Sequence, residues 1–319
     1  MADPVTVAIP VRNGGSLLAE VLDSVRSQRI DRRVELLVAD SGSSDGSREL
    51  AATRGATIVD VAPESFSHGG TRRLLSSAAE GSHIAFLTQD AVPADDRWLA
   101  KLVEGFSAAA GVGLVFGPYR PRPGASLMVR RELEDWFRSL SPDGAPRVER
   151  GMPAAGDPLS RFYFTDANGC VLRSALERIP FRDVPYAEDQ LLARDMLAAG
   201  YAKVYEPGAA VTHSHEYGPA ERFRRSFDEW RGLREVHGER AAAGVFAGAL
   251  AVQREVRDDV SLGRRDGIPA ARLPLLAASS AVHHSARAAG AMLGARADRL
   301  PARLRRLCSL ERRGEFLPC

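Results

Sequence analysis

The feature that most constrains this chain is the alternation of short apolar runs with helical patterns through its first third. Val5-Thr-Val-Ala-Ile9 reads as a buried strand ended by Pro10. Asn13-Gly-Gly15 makes a turn, Ser16 can cap, and Leu17, Leu18, Val21, Leu22 and Val25 follow at helical spacing. Val34 to Ala39 is a second strand ending at Asp40; Ser41 to Gly46 is a turn, and Ser47 opens another helix. Thr57 to Val61 and His83 to Leu87 are the third and fourth strands. Strands separated by helices make βαβ units, so the expectation is an α/β fold with a mainly parallel central sheet flanked by helices. Ligands of such sheets bind beyond the carboxyl ends of the strands. Pro10 to Asn13, Asp40 to Asp45, Phe66 to Arg73 and Thr88 to Asp90 fall there.

The stretch from Pro118 to Pro158 is loop-rich, with one amphipathic helix around Leu133 to Phe137. Phe162 to Thr165 leads into Asp166-Ala-Asn168, and Cys170 to Leu172 reads as a strand. Glu188-Asp189 opens a helix through Gly200, Ala202 to Tyr205 is a strand, and Val211 to His215 closes the domain. From Pro219 the pattern is helical, to about Gly248 and again after Pro269. The expected organisation is one domain over residues 1–235, with halves of about 1–117 and 118–235, and a helical C-terminal extension over 236–319.

A formal net charge of +2 argues against a general nucleic-acid binder. Cys170, Cys308 and Cys319 show neither metal-ligand spacing nor a disulfide framework. No signal segment opens the chain, and the longest apolar candidate, Leu273 to Leu293, is interrupted by His283, His284 and Arg287. A cytoplasmic protein is expected. From Arg287 to Arg313 eight arginines face two acids, which fits either a solvated helix face or contact with anionic lipid.

Several residue groups carry chemistry, each with a plainer structural explanation beside it. Asp40 ends a buried strand before a Ser/Gly-rich turn, where it can accept hydrogen bonds from a base or ribose, or simply cap the turn. Thr88-Gln89-Asp90 follows an apolar strand, and a carboxylate there can hold Mg²⁺ or Mn²⁺ against a diphosphate, since hard cations prefer oxygen. Glu188-Asp189 at a helix start suits the macrodipole by roughly 0.3–1 kcal/mol each. It equally suits a general base that takes a proton from an acceptor hydroxyl. His213-Ser-His215 puts two imidazoles on one face of a strand, where both could reach one metal, one alone could serve with the other elsewhere, or each could simply pack in the core. His68-Gly-Gly70 precedes Arg72-Arg73, where glycine allows close approach and arginine suits phosphate.

The order of these groups resembles the family 2 glycosyltransferases. The resemblance runs through Val7-Ala-Ile-Pro-Val-Arg-Asn13, Val38-Ala-Asp40-Ser-Gly-Ser-Ser-Asp45-Gly-Ser47, Phe66-Ser-His-Gly-Gly-Thr-Arg72 and Phe86-Leu-Thr-Gln-Asp90. It continues with Ala187-Glu-Asp189, Gly200-Tyr, Tyr205-Glu-Pro207 and His213-Ser-His215, covering roughly residues 5 to 235. Phe-x-His before the arginine and His-Ser-His at the end look like the rhamnosyltransferase-like branch. The resemblance implies a GT-A fold, a nucleotide-sugar donor (dTDP-rhamnose as first choice, a UDP- or GDP-sugar otherwise), a Mg²⁺ or Mn²⁺ ion, and inversion at the anomeric carbon. By the same resemblance the two halves become donor and acceptor halves. Pro10, Asn13, Asp40, Asp45, His68, Arg72 and Gln89 bind the donor, with Arg72 near the diphosphate. Asp90 binds the metal with His213 or His215, Asp189 is the catalytic base with Glu188 beside it, and Asp166, Asn168 and Arg173 meet the acceptor. The acceptor is expected to be a glycan, a lipid-linked or a small molecule. The C-terminal helices are expected to serve peripheral contact with the inner face of the cell membrane, or a homodimer. Two departures stand out: Thr88 replaces the first acid of the family's Asp-x-Asp, and Arg73 replaces an asparagine. An inactive sugar-nucleotide-binding homologue or scaffold and a sugar nucleotidyltransferase are the rival readings. The second lacks the glycine-rich phosphate loop it would need after the first strand.

Overall fold

A computed structural model describes residues 3–153, 159–238 and 245–311; Cys319, Arg312 and Arg313 lie outside the described residues. The strands are β1 (Val5–Val11), β2 (Val34–Asp40), β3 (Thr57–Asp60), β4 (His83–Leu87), β5 (Val92–Pro93), β6 (Val112–Phe116), β7 (Tyr119–Arg120), β8 (Arg147–Arg150), β9 (Asn168–Leu172), β10 (Ala202–Tyr205) and β11 (Val211–Thr212). The α-helices are α1 (Gly15–Arg26), α2 (Ser47–Thr53), α3 (His68–Ala78), α4 (Trp98–Glu104), α5 (Leu127–Leu140), α6 (Arg173–Arg178), α7 (Glu188–Ala198), α8 (Pro219–His237), α9 (Val245–Arg265), α10 (Leu273–Gly294) and α11 (Ala302–Cys308). The chain divides into two compact units. The first holds Met1–Arg122, Leu133–Val184 and Glu188–Ser214, and the second Pro123–Glu132, Pro185–Ala187 and His215–Cys319. The division at Ser214/His215 precedes the boundary expected at residue 235, because α8 packs with α10 of the second unit.

In the first unit an eight-stranded sheet runs in the order β3-β2-β1-β4-β9-β6-β10-β8, beside a small sheet β5-β11-β7. Side chains alternate across β1 as the period of two requires. Val5, Val7, Ile9 and Val11 pack with Leu18, Val21 and Leu22 of α1 and with Trp98 and Leu99 of α4. Ala8 joins the other layer, with Leu75 of α3 and Leu192 and Met196 of α7. Each of the buried Val, Leu, Ile and Met side chains contributes roughly 1.5–3 kcal/mol. Pro10 does not end β1. The strand continues to Val11 in parallel register with β2, while its pairing with β4 stops at Ala8. Pro10 therefore lacks an N–H only where one neighbour has already dropped away.

The mainly parallel sheet contains an insertion that the sequence reading did not anticipate. β9 lies antiparallel between β4 and β6, pairing Leu87 with Asn168 and His83 with Leu172. Residues before β9 thus reach the carboxyl edge of β4, and residues after it reach the opposite edge. Asp166 lies at the first edge. Arg173, expected at the acceptor, lies at the second, where its backbone N–H bonds Ser82 O (3.0 Å) and its side chain borders a surface hollow with Arg73 and Glu177. That placement sets Arg173 and Arg73 away from the edge that Asp166 reaches.

Asn168 is also placed differently from expectation. Its Oδ1 accepts from Trp98 Nε1 at 2.7 Å, and its Nδ2 donates to Pro118 O (3.1 Å) and Ala209 O (2.8 Å). A fully buried amide with these three bonds fastens β9 to α4 and to two loops, with no donor left for an acceptor substrate. Gly117 is glycine for the same closeness: a Cβ there would stand 1.8 Å from Ala209 O. In the second unit α10 packs on α8 at Gly290 and Gly294, where a Cβ would fall 2.2 Å from the carbonyl oxygens of Phe223 and Phe227. Asn168→Ala strands the Trp98 N–H and two carbonyls, and is expected to cost roughly 2–4 kcal/mol. A urea titration should show the midpoint falling, and an unchanged midpoint would assign the anchoring elsewhere.

Candidate active site

Three loops at the carboxyl edge of β1, β2 and β4 are tied to one another by short hydrogen bonds. Asn13, with φ +52°, donates its N–H to Ser43 Oγ (3.0 Å) and accepts from Ser44 N–H through Oδ1 (2.8 Å). Arg12 N–H donates to Gln89 Oε1 at 2.8 Å. Asp45 accepts from Gly15 N–H and Ser47 N–H, both at 3.0 Å, so it fastens the starts of α1 and α2. The Ser47 contacts, with that of Gly15, hold the Asp45 carboxyl below its ordinary range. Pro10, Asn13, Asp40, Asp45 and Gln89 are thereby gathered at one edge. Asp40 Oδ2 accepts from Gly42 and Ser43 N–H (3.2 Å each), while its Oδ1 is buried without a hydrogen-bond partner. An orphaned carboxylate oxygen carries a desolvation cost that a ligand N–H or O–H would relieve.

Beyond β4, the turn that Ala91 N–H closes onto Thr88 O (3.2 Å) presents Asp90. Asp90 Oδ1 lies 3.5 Å from His213 Nδ1, and the backbone N–H of His213 is anchored on Arg120 O at 2.9 Å. Thr88 Oγ1 is buried without a hydrogen-bond partner. A carboxylate and an imidazole at this separation are donors that suit a divalent cation. His215 follows His213 with only Ser214 between them and belongs to the second unit.

A second cluster surrounds Arg72 of α3. The buried guanidinium pairs through Nε with Asp166 Oδ2, and through Nη1 with Glu188 Oε1 (3.1 Å) and His68 O (3.3 Å). Arg72 was expected beside a diphosphate; instead carboxylates enclose it, because a guanidinium so deeply buried needs opposite charge at contact distance. His68 opens α3 behind the Ser67 cap and sets its ring edge-on to Phe66, 5.2 Å between centroids. Ala187 takes φ +61°, unusual for alanine, and turns the backbone into α7 so that Glu188 and Asp189 occupy its first turn. Three carboxylates share one guanidinium. Burial, then the Glu188 charge, pushes Asp189 up to about 7. Burial likewise raises Asp166, although Arg72 opposes the shift. The cluster therefore retains a proton near neutral pH.

Tyr119, absent from the sequence expectations, lies between the two groups. Its hydroxyl bonds Thr165 Oγ1, its ring stands edge-on to His213 at 4.9 Å, and burial together with the charges of Asp189 and Asp166 raises its phenol well above the ordinary range. Arg122, also unanticipated, donates to the Asp90 backbone oxygen. Both lie in the loop-rich stretch after β6, where no spacing marks them.

A family model described as glycosyl transferase family 2 matches residues 6–178, more than half of the chain. The chain belongs to this family. Among curated proteins, this glycosyltransferase is similar to the O-antigen chain rhamnosyltransferase RfbN of Salmonella typhimurium (strain LT2), 32% identical over 231 residues and 70% of each chain. It is also similar to the O-antigen chain rhamnosyltransferase WbaN of Salmonella anatum, 28% identical over 227 residues and 70% of each chain. Among solved structures, it resembles the mannosyltransferase PcManGT from Pyrobaculum calidifontis, in complex with GDP-Man and Mn²⁺. That match has a TM-score of 0.59 and 21% identity, covering 94% of this chain and 87% of that one. The fold is GT-A, and the enzyme is rhamnosyltransferase-like.

A base role for Asp189 would require its ionised form, so kcat/KM of the glycosyltransferase would then fall as pH drops below about 7. Glu188→Gln removes the neighbouring negative charge and frees Arg72, so the acid limb of the pH–rate profile should move down by roughly one unit. A limb that stays in place would separate the profile from Asp189.

Proposed function

We propose that this enzyme is an inverting transferase that moves a sugar from a nucleotide diphosphate donor to an acceptor hydroxyl. The observation that carries the reading is the gathering, at one sheet edge, of a raised acid, Asp189, with an orphaned acceptor at Asp40 and the Asp90–His213 pair. Pro10, Asn13, Asp40 and Gln89 line the donor pocket, with Asp40 Oδ1 taking a base or ribose hydrogen and Asp45 holding the pocket loops. His68 sits beside the acid cluster. The similarity to the two rhamnosyltransferases supports dTDP-rhamnose as the first donor to test, and an acceptor within a growing polysaccharide, lipid-linked or free.

Asp90 and His213 would hold Mn²⁺ or Mg²⁺. A bound ion supplies charge compensation for the departing diphosphate. Asp189 takes the acceptor's proton, and the acceptor oxygen bonds to the anomeric carbon from the face opposite the leaving group. The carbon–oxygen bond to the diphosphate breaks, and its electron pair leaves on the diphosphate. Asp166 and Glu188 hold Arg72, and Arg72 in turn limits how far Asp189 is raised. Asp166 is the one of the three acceptor-side residues read from sequence that lies at this edge.

No helix among the described residues is long and apolar enough to cross a membrane. The second unit exposes Leu250, Leu275, Val282, Leu304 and Leu307 alongside arginines such as Arg254, which supports peripheral contact with the inner face of a membrane.

In a thermal-shift panel, dTDP-rhamnose or dTDP at about 100 times its dissociation constant should add roughly 2.7 kcal/mol of stability in the presence of Mn²⁺. Asp90→Ala should abolish that gain. Asp189→Asn should keep the gain while losing transfer by about 10²–10⁴-fold. Wild-type turnover in Asp189→Asn would remove the base from the mechanism, and stabilisation by another nucleotide alone would replace the donor. In flotation with vesicles rich in anionic lipid the protein should rise with the lipid; a dimer that stays at the bottom would assign the exposed leucines to self-association.

A further inference from the structure

The second unit carries a group of titratable side chains that the transfer chemistry does not use. Glu132 on α5 and the adjacent His283 and His284 on α10 turn one atom each toward a common point. Glu132 Oε1 lies 3.3 Å from His283 Nε2 and 3.5 Å from His284 Nδ1, and the ligand atoms of the three residues lie within 4.8 Å of one another. Charge-assisted N–H···O⁻ bonds are shorter, about 2.7–2.9 Å. His283 is nine-tenths buried, at 9% exposure, yet its Nε2 has no hydrogen-bond partner. The separations match the edge of a coordination tetrahedron: with metal–ligand distances of about 2.0–2.1 Å, neighbouring ligands stand roughly 3.3–3.4 Å apart.

The surroundings orient the donors. His284 Nε2 is 2.8 Å from Asp259 Oδ2, a fully buried carboxylate that also accepts from Ser280 Oγ (2.6 Å) and, on Oδ1, from Arg131 Nε (2.5 Å). A carboxylate only accepts, so His284 Nε2 carries a hydrogen toward Asp259, and Nδ1 is the ring nitrogen that faces Glu132. A carboxylate behind the second ring nitrogen is the arrangement that fixes an imidazole toward a metal.

We propose that Glu132, His283 and His284 form a site for a divalent transition metal such as zinc, separate from the Asp90–His213 pair, with Asp259 orienting His284. Two arginines also face Glu132. Arg222 lies 3.9 Å from Oε2, and Arg287 donates to Oε1 at 2.5 Å from a side chain that is 48% exposed. Arg287 and the ion compete for one oxygen, and Arg287 can withdraw into solvent.

The test is a Co²⁺ titration of the chelator-treated Asp90→Ala/His213→Ala protein, followed by visible absorption. The expected result is one Co²⁺ per chain with the intense bands of four-coordinate cobalt. These should vanish in an added His283→Gln and weaken in Glu132→Gln. Arg287→Ala should tighten binding by about fivefold, the loss of one competing exposed ion pair. Absence of the bands in the His283-containing protein overturns the site, as does their persistence in His283→Gln. A cobalt–thiolate charge-transfer band also overturns it, by placing the ion on a cysteine such as Cys308. Where His283→Gln does not fold by circular dichroism, Arg287→Ala decides: tighter binding supports the site, and unchanged affinity overturns it.

Discussion

The acid cluster of the first unit depends on one buried cation. Arg72 is almost wholly removed from water, and the cost of that burial is offset only because Asp166 and Glu188 meet it at contact distance. Those three residues come from α3, from the loop ahead of β9 and from the first turn of α7, so one ion cluster fixes three elements that are remote in sequence. Its charge balance also sets the chemistry. With three carboxylates around a single guanidinium, the set is short of positive charge, and Asp189, lacking a partner of its own among the cations, holds its proton up to about 7. In the proposed mechanism, a structural demand of the fold and the tuning of the base are the same interaction.

The sheet's topology explains why these groups meet. Parallel strands β1, β2 and β4 deliver Asn13, Asp40 and Asp90 to one edge. β9, reversed between β4 and β6, returns Asp166 to that edge and sends Arg173 away from it. The small sheet β5-β11-β7 then sets His213 opposite Asp90, with Tyr119 bridging toward the acid cluster.

Much of this was legible in the sequence where a period or an order existed. Apolar alternation placed β1, β2, β4 and β10 to within a residue or two, and the ordered motifs gathered Asp40, Asp90, Asp189 and His213 as one set. What was illegible depended on pairing at a distance. β6 hides in a glycine-rich run, and β8 is a charged edge strand, Arg147-Val-Glu-Arg150, with no apolar alternation to announce it. The direction of β9 follows from its neighbours, so nothing local told Asp166 from Arg173. Arg72 reads as a phosphate ligand in sequence because its two counter-charges lie about a hundred residues further along the chain. In the second unit, the pair His283-His284 read only as an interruption of an apolar helix; the partners that give it meaning, Glu132 and Asp259, belong to other helices.

The central claim, that a buried cluster short of positive charge holds Asp189 ready as a base at neutral pH, is tested most directly by titrating aspartate carboxyl carbons by ¹³C NMR in the wild type and in Asp189→Asn. The account predicts one carboxyl resonance titrating near 7 in the wild type that is missing from the variant. If every aspartate titrates below about 5, the ordinary range for this side chain, Asp189 is an unperturbed acid and the cluster around Arg72 is structural alone.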